Sequence, residues 1–361
     1  MRHTRGRVVE VDDVDDFDRR VAAGARDLAG WRCRGLDLSG RADVLSSCHV
    51  AGAMFLGCVL DAGVAADLES RGALVFPTLP DVPVDTYRTS LYTARELFGA
   101  AGYAESPDAR AYAWAESDLG HDGLLAATLH DHAIDGALAG WVGGRSLVGV
   151  MGGHAVRRGS AAYADAARLG WLLGRRFTVA TGGGPGAMEA ANLGARLVAT
   201  SEHGLREALT TVAAVPHYDP DVGAWAAAGF RALDDAGAGA GGETLGIPTW
   251  HYGHEPPNVF ASAIAKYVRN AVREAVLLEV CDAGIVFLPG AAGTVQEVFQ
   301  DACENYYADP TSVATMVLVG RDHWTEHLPV WPLLRALARD REMEDRVHLV
   351  DGVDEAVELV G

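Results

Sequence analysis

Lysine is nearly missing from this chain: Lys266 is the single lysine among 30 basic residues in 361. Chemistry that needs a lysine, such as a pyridoxal phosphate Schiff base or a Walker-type phosphate lysine, must therefore run through Lys266. Cysteine is scarce too. The five present (Cys33, Cys48, Cys58, Cys281 and Cys303) form no CxxC and cannot all pair with one another, which argues against a disulfide framework and a cysteine-ligated metal. No apolar run is long enough to span a bilayer and the Arg-rich start has no signal-peptide core. The chain thus reads as cytoplasmic, with no membrane partner. Positive charge is short as well: 49 acidic residues against 30 basic give a net charge of -19. Such a field repels phosphodiester backbones, so nucleic acid is not an expected partner.

Apolar residues are plentiful, at 49% hydrophobic and 22% charged, enough to fill a sizeable core. The length calls for two units or one elaborated α/β domain. We place the division at residues 144 and 145. Downstream, short β-rich runs alternate with helical patterns, the sign of a parallel sheet with crossover helices. Strands are expected at residues 146–151, 177–181, 283–289, 313–320 and 347–350, and helices at 159–174, 186–199, about 259–280, 293–306 and 331–338. The fold class is α/β, a Rossmann-like doubly wound parallel sheet over 145–361, with an additional N-terminal α/β cap over 1–144. Residues 234–242, DDAGAGAGG, read as a loop or insertion. Pro256 and Pro257, with Asn258 as a cap, mark the start of the helix expected at 259–280, which would carry both Lys266 and Arg273. In the cap, Leu45, Val50, Phe55 and Leu60 recur every five residues, so residues 43–62 match about one coil of a pentapeptide-type β-helix or, equally, an irregular apolar stretch. Helical patterns also occur at 86–99 and 111–141.

Two glycine-rich strand ends carry the chemistry. In TGGGPGAMEAAN, Thr181 to Asn192, consecutive glycines at the end of a strand allow a sharp turn and close backbone approach to a ligand before a helix N-terminus. The spacing is not the dinucleotide GxGxxG, so a nicotinamide cofactor is disfavoured. In PGAAGTVQEVF, Pro289 to Phe299, Gly290, Ala291, Gly293 and Thr294 suit a phosphate, bound by backbone N–H groups and the Thr294 hydroxyl. Glu297 follows one turn into that helix, where it suits a sugar or water better than a phosphate.

Together these motifs resemble the LONELY GUY (LOG) family of nucleoside 5′-monophosphate phosphoribohydrolases, members of which often carry the label lysine decarboxylase. The similarity spans about Val148 to Val319, and the molybdenum-cofactor carrier proteins look similar. The resemblance implies that Glu297 and Arg273 are the catalytic pair, the arginine standing at the family's distance from the aspartate position held by Asp282. It implies that Gly290, Gly293 and Thr294 form the phosphate loop and that Gly182, Gly183, Gly184, Gly186 and Met188 form the wall of the nucleotide site. It also implies a homodimer or higher homo-oligomer. Three departures stand out: Ala291 replaces a glycine, Glu274 replaces a lysine, and Gly152-Gly153-His154 replaces an early Gly-Ser.

The side chains suit N-glycosidic cleavage, where a carboxylate stabilises an oxocarbenium-like ribose and activates water. Arg273 would hold ribose or phosphate, and Arg269, four residues earlier, would add to the phosphate field. Gly153, His154, Tyr252 and His254 are candidates for the base pocket. His251 and His254, lacking a third ligand, do not argue for a metal, and His130, Asp131, His132 and Asp135 read as a solvated helix face. The expected function is hydrolysis of a purine or cytokinin-type nucleoside monophosphate to free base and ribose 5-phosphate, without metal or cofactor. The alternative is a nucleotide or molybdenum-cofactor carrier using the same cleft. A pyridoxal-dependent decarboxylase ranks last.

Overall fold

The computed structural model describes residues 8–99, 102–251 and 255–361. Its contacts divide the chain into two units, residues 1–90 with 118–137, and residues 91–117 with 138–361.

The first unit holds four parallel strands in chain order, β1 (Val9–Val11), β2 (Trp31–Arg34), β3 (Met54–Leu56) and β4 (Leu74–Phe76). Val9 pairs with Trp31, Arg32 with Met54 and Met54 with Leu74, so each rung uses 20–22 residues. A short helix crosses over within each rung, as at Ala42–Ser47 and Val64–Ser70. That helix corrects the pentapeptide reading of 43–62. Leu45, Val50 and Phe55 are the inward positions of one long rung, stacked with Val11, Cys33 and Leu68 in a continuous apolar column. A second correction concerns the helix Gly120–Val142: His130 and Asp131 are buried and bonded to each other, Nδ1 to Oδ1 at 3.1 Å, not part of a solvated face. In the second unit, the helix expected over 86–99 shrinks to Ala94–Phe98, closed at its start by a Thr93–Glu96 capping box.

The second unit is built on seven strands: β5 (Leu147–Met151), β6 (Thr178–Thr181), β7 (Thr244–Gly246), β8 (Ala263–Ile264), β9 (Ile285–Phe287), β10 (Met316–Val319) and β11 (Val347–Val350). They pair in parallel in the order β11-β10-β9-β5-β6-β7-β8. This is a Rossmann-like doubly wound sheet. Its central strands β5, β9 and β10 are buried along their whole length, as hydrophobic runs covered on both faces must be. Strand order reverses between β5 and β9, and in such sheets the crevice beyond the carboxyl ends at that reversal is where ligands bind. The chain leaves those ends at Gly152, Gly182 and Pro289.

The helix expected over 259–280 is not there as written. Phe260, Ala261, Ala263, Ile264, Ala265 and Tyr267 are all buried, a run too uniformly inward for a helix face. It forms the short edge strand β8, and the helix proper is Asn270–Glu279. Asn258 caps a turn instead of that helix, its Oδ1 accepting from the N–H groups of Phe260 and Ala261 at 3.1 Å each. Lys266 therefore lies ahead of the helix that carries Arg273. Its Nζ is 2.6 Å from Asp108 Oδ1, which also accepts from Trp250 Nε1 at 2.9 Å, while Tyr103 donates to Asp108 Oδ2 at 2.6 Å. Part of the stretch 234–242 is ordered, since the helix Val222–Ala236 runs into it and a 3-10 turn follows. No helix among the described residues is long and apolar enough to cross a membrane.

Candidate functional site

A cavity of about 690 Å³ opens where β5, β6 and β9 end. The turn after β6 forms one wall, and buried polar groups hold it from behind. Thr181 Oγ1 accepts from Gly183 N–H at 3.0 Å and donates to Asn192 Oδ1 at 2.7 Å. Asn258 Nδ2 donates to the same Asn192 oxygen at 3.0 Å and to Gly184 O at 3.2 Å. With every member bonded, this network fixes the loop against the helix Ala187–Arg196. The five motif residues divide their work. Gly182, Gly184 and Met188 line the cavity, whereas Gly183 and Gly186 shape the turn. Gly186 has φ +78°, and a Cβ there would stand 2.5 Å from the carbonyl oxygens of Gly153 and His154. Glycine is required at that point by conformation and by space alike.

The helix itself is anchored by a buried ion pair absent from the sequence reading. Arg158 Nε donates to Glu189 Oε1 at 2.8 Å and Nη1 to Trp225 O at 2.9 Å, with the guanidinium over the Trp225 ring. Glu189, an isolated acid in an otherwise small and apolar stretch of helix, is the signal that could have revealed it.

The second wall is the loop after β9, leading into the helix Ala292–Tyr307. Gly290, Ala291, Gly293 and Thr294 all line the cavity, together with Gly153 and His154 from the loop after β5. The first intrahelical bond runs from Val295 N–H to Ala291 O, so the N–H groups of Ala292, Gly293 and Thr294 belong to the unpaired first turn. A Cβ on Gly290 would lie 2.1 Å from Thr294 Oγ1, so the loop closes tightly on its own threonine. His323 also lines the cavity, an unforeseen member from the turn after β10, and its Nε2 lies 3.0 Å from Gly290 O. A carbonyl only accepts, so Nε2 carries the hydrogen in this contact.

Arg273 and Glu297 meet between these walls. Nη1 of Arg273 lies 3.6 Å from Glu297 Oε1, and both side chains are little more than a tenth exposed. Burial pushes the Glu297 carboxyl up to about 7; Arg273 opposes the shift and the charge of Glu274 adds to it. Arg273 Nη2 donates to Asn270 Oδ1 at 3.3 Å, and among the described residues its buried Nε has no hydrogen-bond partner. One turn beyond Glu297, burial raises the Asp301 carboxyl to about 8.

Of the remaining candidates, Arg269 and Asp282 fall outside this cluster. Arg269 precedes the helix Asn270–Glu279 as an exposed residue and does not line the cavity. Tyr252 and His254 lie outside the described residues. Their neighbour Glu255 lines the cavity, with its Oε1 3.6 Å from His154 Nδ1. Asp282 Oδ1 accepts from Leu147 N–H at 2.6 Å, which pins the start of β5 and gives this aspartate a structural task. Among the described residues no group of three His, Cys, Asp or Glu side chains could hold a metal ion.

No family model matches the chain, and no curated protein matches it. Solved structures do. The molybdenum cofactor binding protein from the phototrophic bacterium Rippkaea orientalis is 16% identical, covering 60% of this chain and 94% of its own, with a TM-score of 0.36. The structural-genomics target TM1055 is 19% identical, covering 59% of this chain and 97% of its own, with a TM-score of 0.37.

Proposed function

We propose that this protein hydrolyses the N-glycosidic bond of a nucleoside 5′-monophosphate, releasing the free base and ribose 5-phosphate. The observation that carries the reading is the buried Arg273–Glu297 pair, set in one cavity with the unpaired first turn of the helix Ala292–Tyr307. In this reading the phosphate rests on the N–H groups of Ala292, Gly293 and Thr294 and on the Thr294 hydroxyl, where the helix dipole favours an anion. Arg273 supplies the fixed positive charge that a chain of net charge -19 must concentrate locally. Ionised Glu297 stabilises the oxocarbenium character growing at C1′ and takes a proton from the attacking water. The C1′–N bond breaks as the C1′–O bond forms, and the proton that Glu297 takes from water is passed on to the leaving base nitrogen.

The same reading makes 145–361 the nucleotide-binding domain, with 1–144 as an accessory region, and has the protein act in the cytoplasm as a homodimer. A Schiff-base role for the lone lysine fits poorly: Lys266 is 1% exposed and its ammonium is paired with Asp108. The test is incubation with AMP, GMP, IMP, CMP and isopentenyl-AMP, with free base and ribose 5-phosphate measured. Tight binding without product would favour a nucleotide or molybdenum-cofactor carrier instead.

A further inference from the structure

Glu274 stands where the phosphoribohydrolase pattern has a lysine, and its carboxylate reaches both catalytic helices. Oε1 accepts from Asn270 Nδ2 at 2.7 Å on its own helix and lies 3.9 Å from Arg273 Nη2. Oε2 accepts from Gln296 Nε2, on the helix that carries Glu297. The side chain lines the cavity and is only 12% exposed, so water screens its charge weakly. A lysine here could make none of these acceptor contacts.

From this bridge we infer that Glu274 is a positioning residue for the Arg273–Glu297 pair. It ties the two helices together and keeps a fixed negative charge beside Glu297. The inference rests on the hydrolase reading for its kinetic consequence, but not for its electrostatic one. Ionised Glu274 disfavours a second negative charge nearby, so Glu297 holds its proton to higher pH, in line with the upward push it receives from Glu274. Burial gives Glu297 its largest upward push and Arg273 opposes it, while the charge of Glu297 in turn helps to raise the buried Cys281 thiol beyond the end of the Arg273 helix. His154, Glu255 and His323 line the same cavity from other elements. With burial as the main cause and Glu274 adding to it, Glu297 changes state near neutral pH, where an acid and a base form are both available for the two proton movements of hydrolysis.

Three variants separate the charge from the tie. Glu274→Gln removes the charge and keeps a hydrogen-bonding group of the same size. Gln296→Leu removes the tie between helices and keeps the charge, and Glu274→Ala removes both. The Glu297 carboxyl is titrated by 13C NMR in each folded protein, alongside the pH profile of kcat/KM. In Glu274→Gln the Glu297 midpoint falls by about one pH unit and the acid limb of the profile follows it. In Gln296→Leu the midpoint holds while kcat drops about tenfold through lost positioning. Glu274→Ala shows both effects, and Glu274→Gln recovers part of its lost kcat. A Glu297 midpoint that stays put in folded Glu274→Gln overturns the inference. Should the wild type cleave no nucleotide, the hydrolase reading fails while the NMR midpoint still decides the role of Glu274.

Discussion

Arg273 Nη1 and Glu297 Oε1 face each other at 3.6 Å from two different helices, both side chains almost out of solvent. This distance is longer than a good hydrogen bond, and burial leaves the carboxyl only partly ionised at neutral pH. The pair is therefore not a saturated structural bridge, and in the proposed function it is the group that meets the ligand. Replacing either partner should remove function with little loss of fold: Glu297→Gln and Arg273→Ala are each expected to lower turnover by about 10²-fold or more. Steady-state kinetics alongside circular dichroism checks this, and a variant that keeps wild-type turnover contradicts it.

The raised carboxyls give stability a definite pH dependence. Glu297 moves from 4.5 to about 7 and Asp301 from 3.8 to about 8, so both bind a proton more tightly folded than unfolded. Their contribution is complete below the unfolded values and is lost as pH rises through about 7 and about 8. Asp301→Asn should therefore stabilise the protein by about 1–3 kcal/mol at pH 8.5 and hardly at all at pH 3.5. Thermal melts across that range read the effect. Parallel curves for variant and wild type would show that Asp301 ionises as freely in the fold as outside it.

Space around the two glycine loops predicts which substitutions they tolerate. Gly186→Ala strains a backbone at φ +78° and drives a methyl against two carbonyl oxygens 2.5 Å away, whereas a Cβ on Gly293 meets nothing within 4 Å. We expect Gly186→Ala to cost about 2 kcal/mol or more, and Gly293→Ala to leave stability within about 0.5 kcal/mol. Urea unfolding of the two variants separates these outcomes, and equal midpoints would contradict the loop geometry.

Much of the second unit was legible because its strands are short apolar runs ending in glycine, and a parallel sheet advertises itself that way. The glycine motifs located the cavity for the same reason. Regions governed by tertiary burial were harder to read. Residues 259–267 carry a helix-compatible composition, yet Ala263 and Ile264 pair as the edge strand β8 and the apolar side chains around them are buried. In the first unit the rung length of 20–22 residues was hidden by a shorter five-residue echo of inward Leu45, Val50 and Phe55. Gly30, Gly52 and Gly72, recurring just ahead of β2, β3 and β4, were the better signal. His323 and Glu274 joined the site through chain geometry that no local motif encodes.

The buried cluster around the lone lysine should be a stability element. Asp108→Ala leaves the Lys266 ammonium buried without its carboxylate and takes an acceptor from Trp250 and Tyr103. A loss of about 3–5 kcal/mol is expected from denaturant unfolding, with Asp108→Ala/Lys266→Met recovering part of it. Additive losses in the double variant would mean that the two charges do not interact.

The central claim is a reaction, and product analysis addresses it directly. Purified protein is incubated with the five nucleoside 5′-monophosphates, and free base and ribose 5-phosphate are quantified beside a Glu297→Gln control. The account predicts equal amounts of base and ribose 5-phosphate from at least one of them, with product from the control reduced by about 10²-fold. Binding without product, or product formation unaffected by Glu297→Gln, would contradict it.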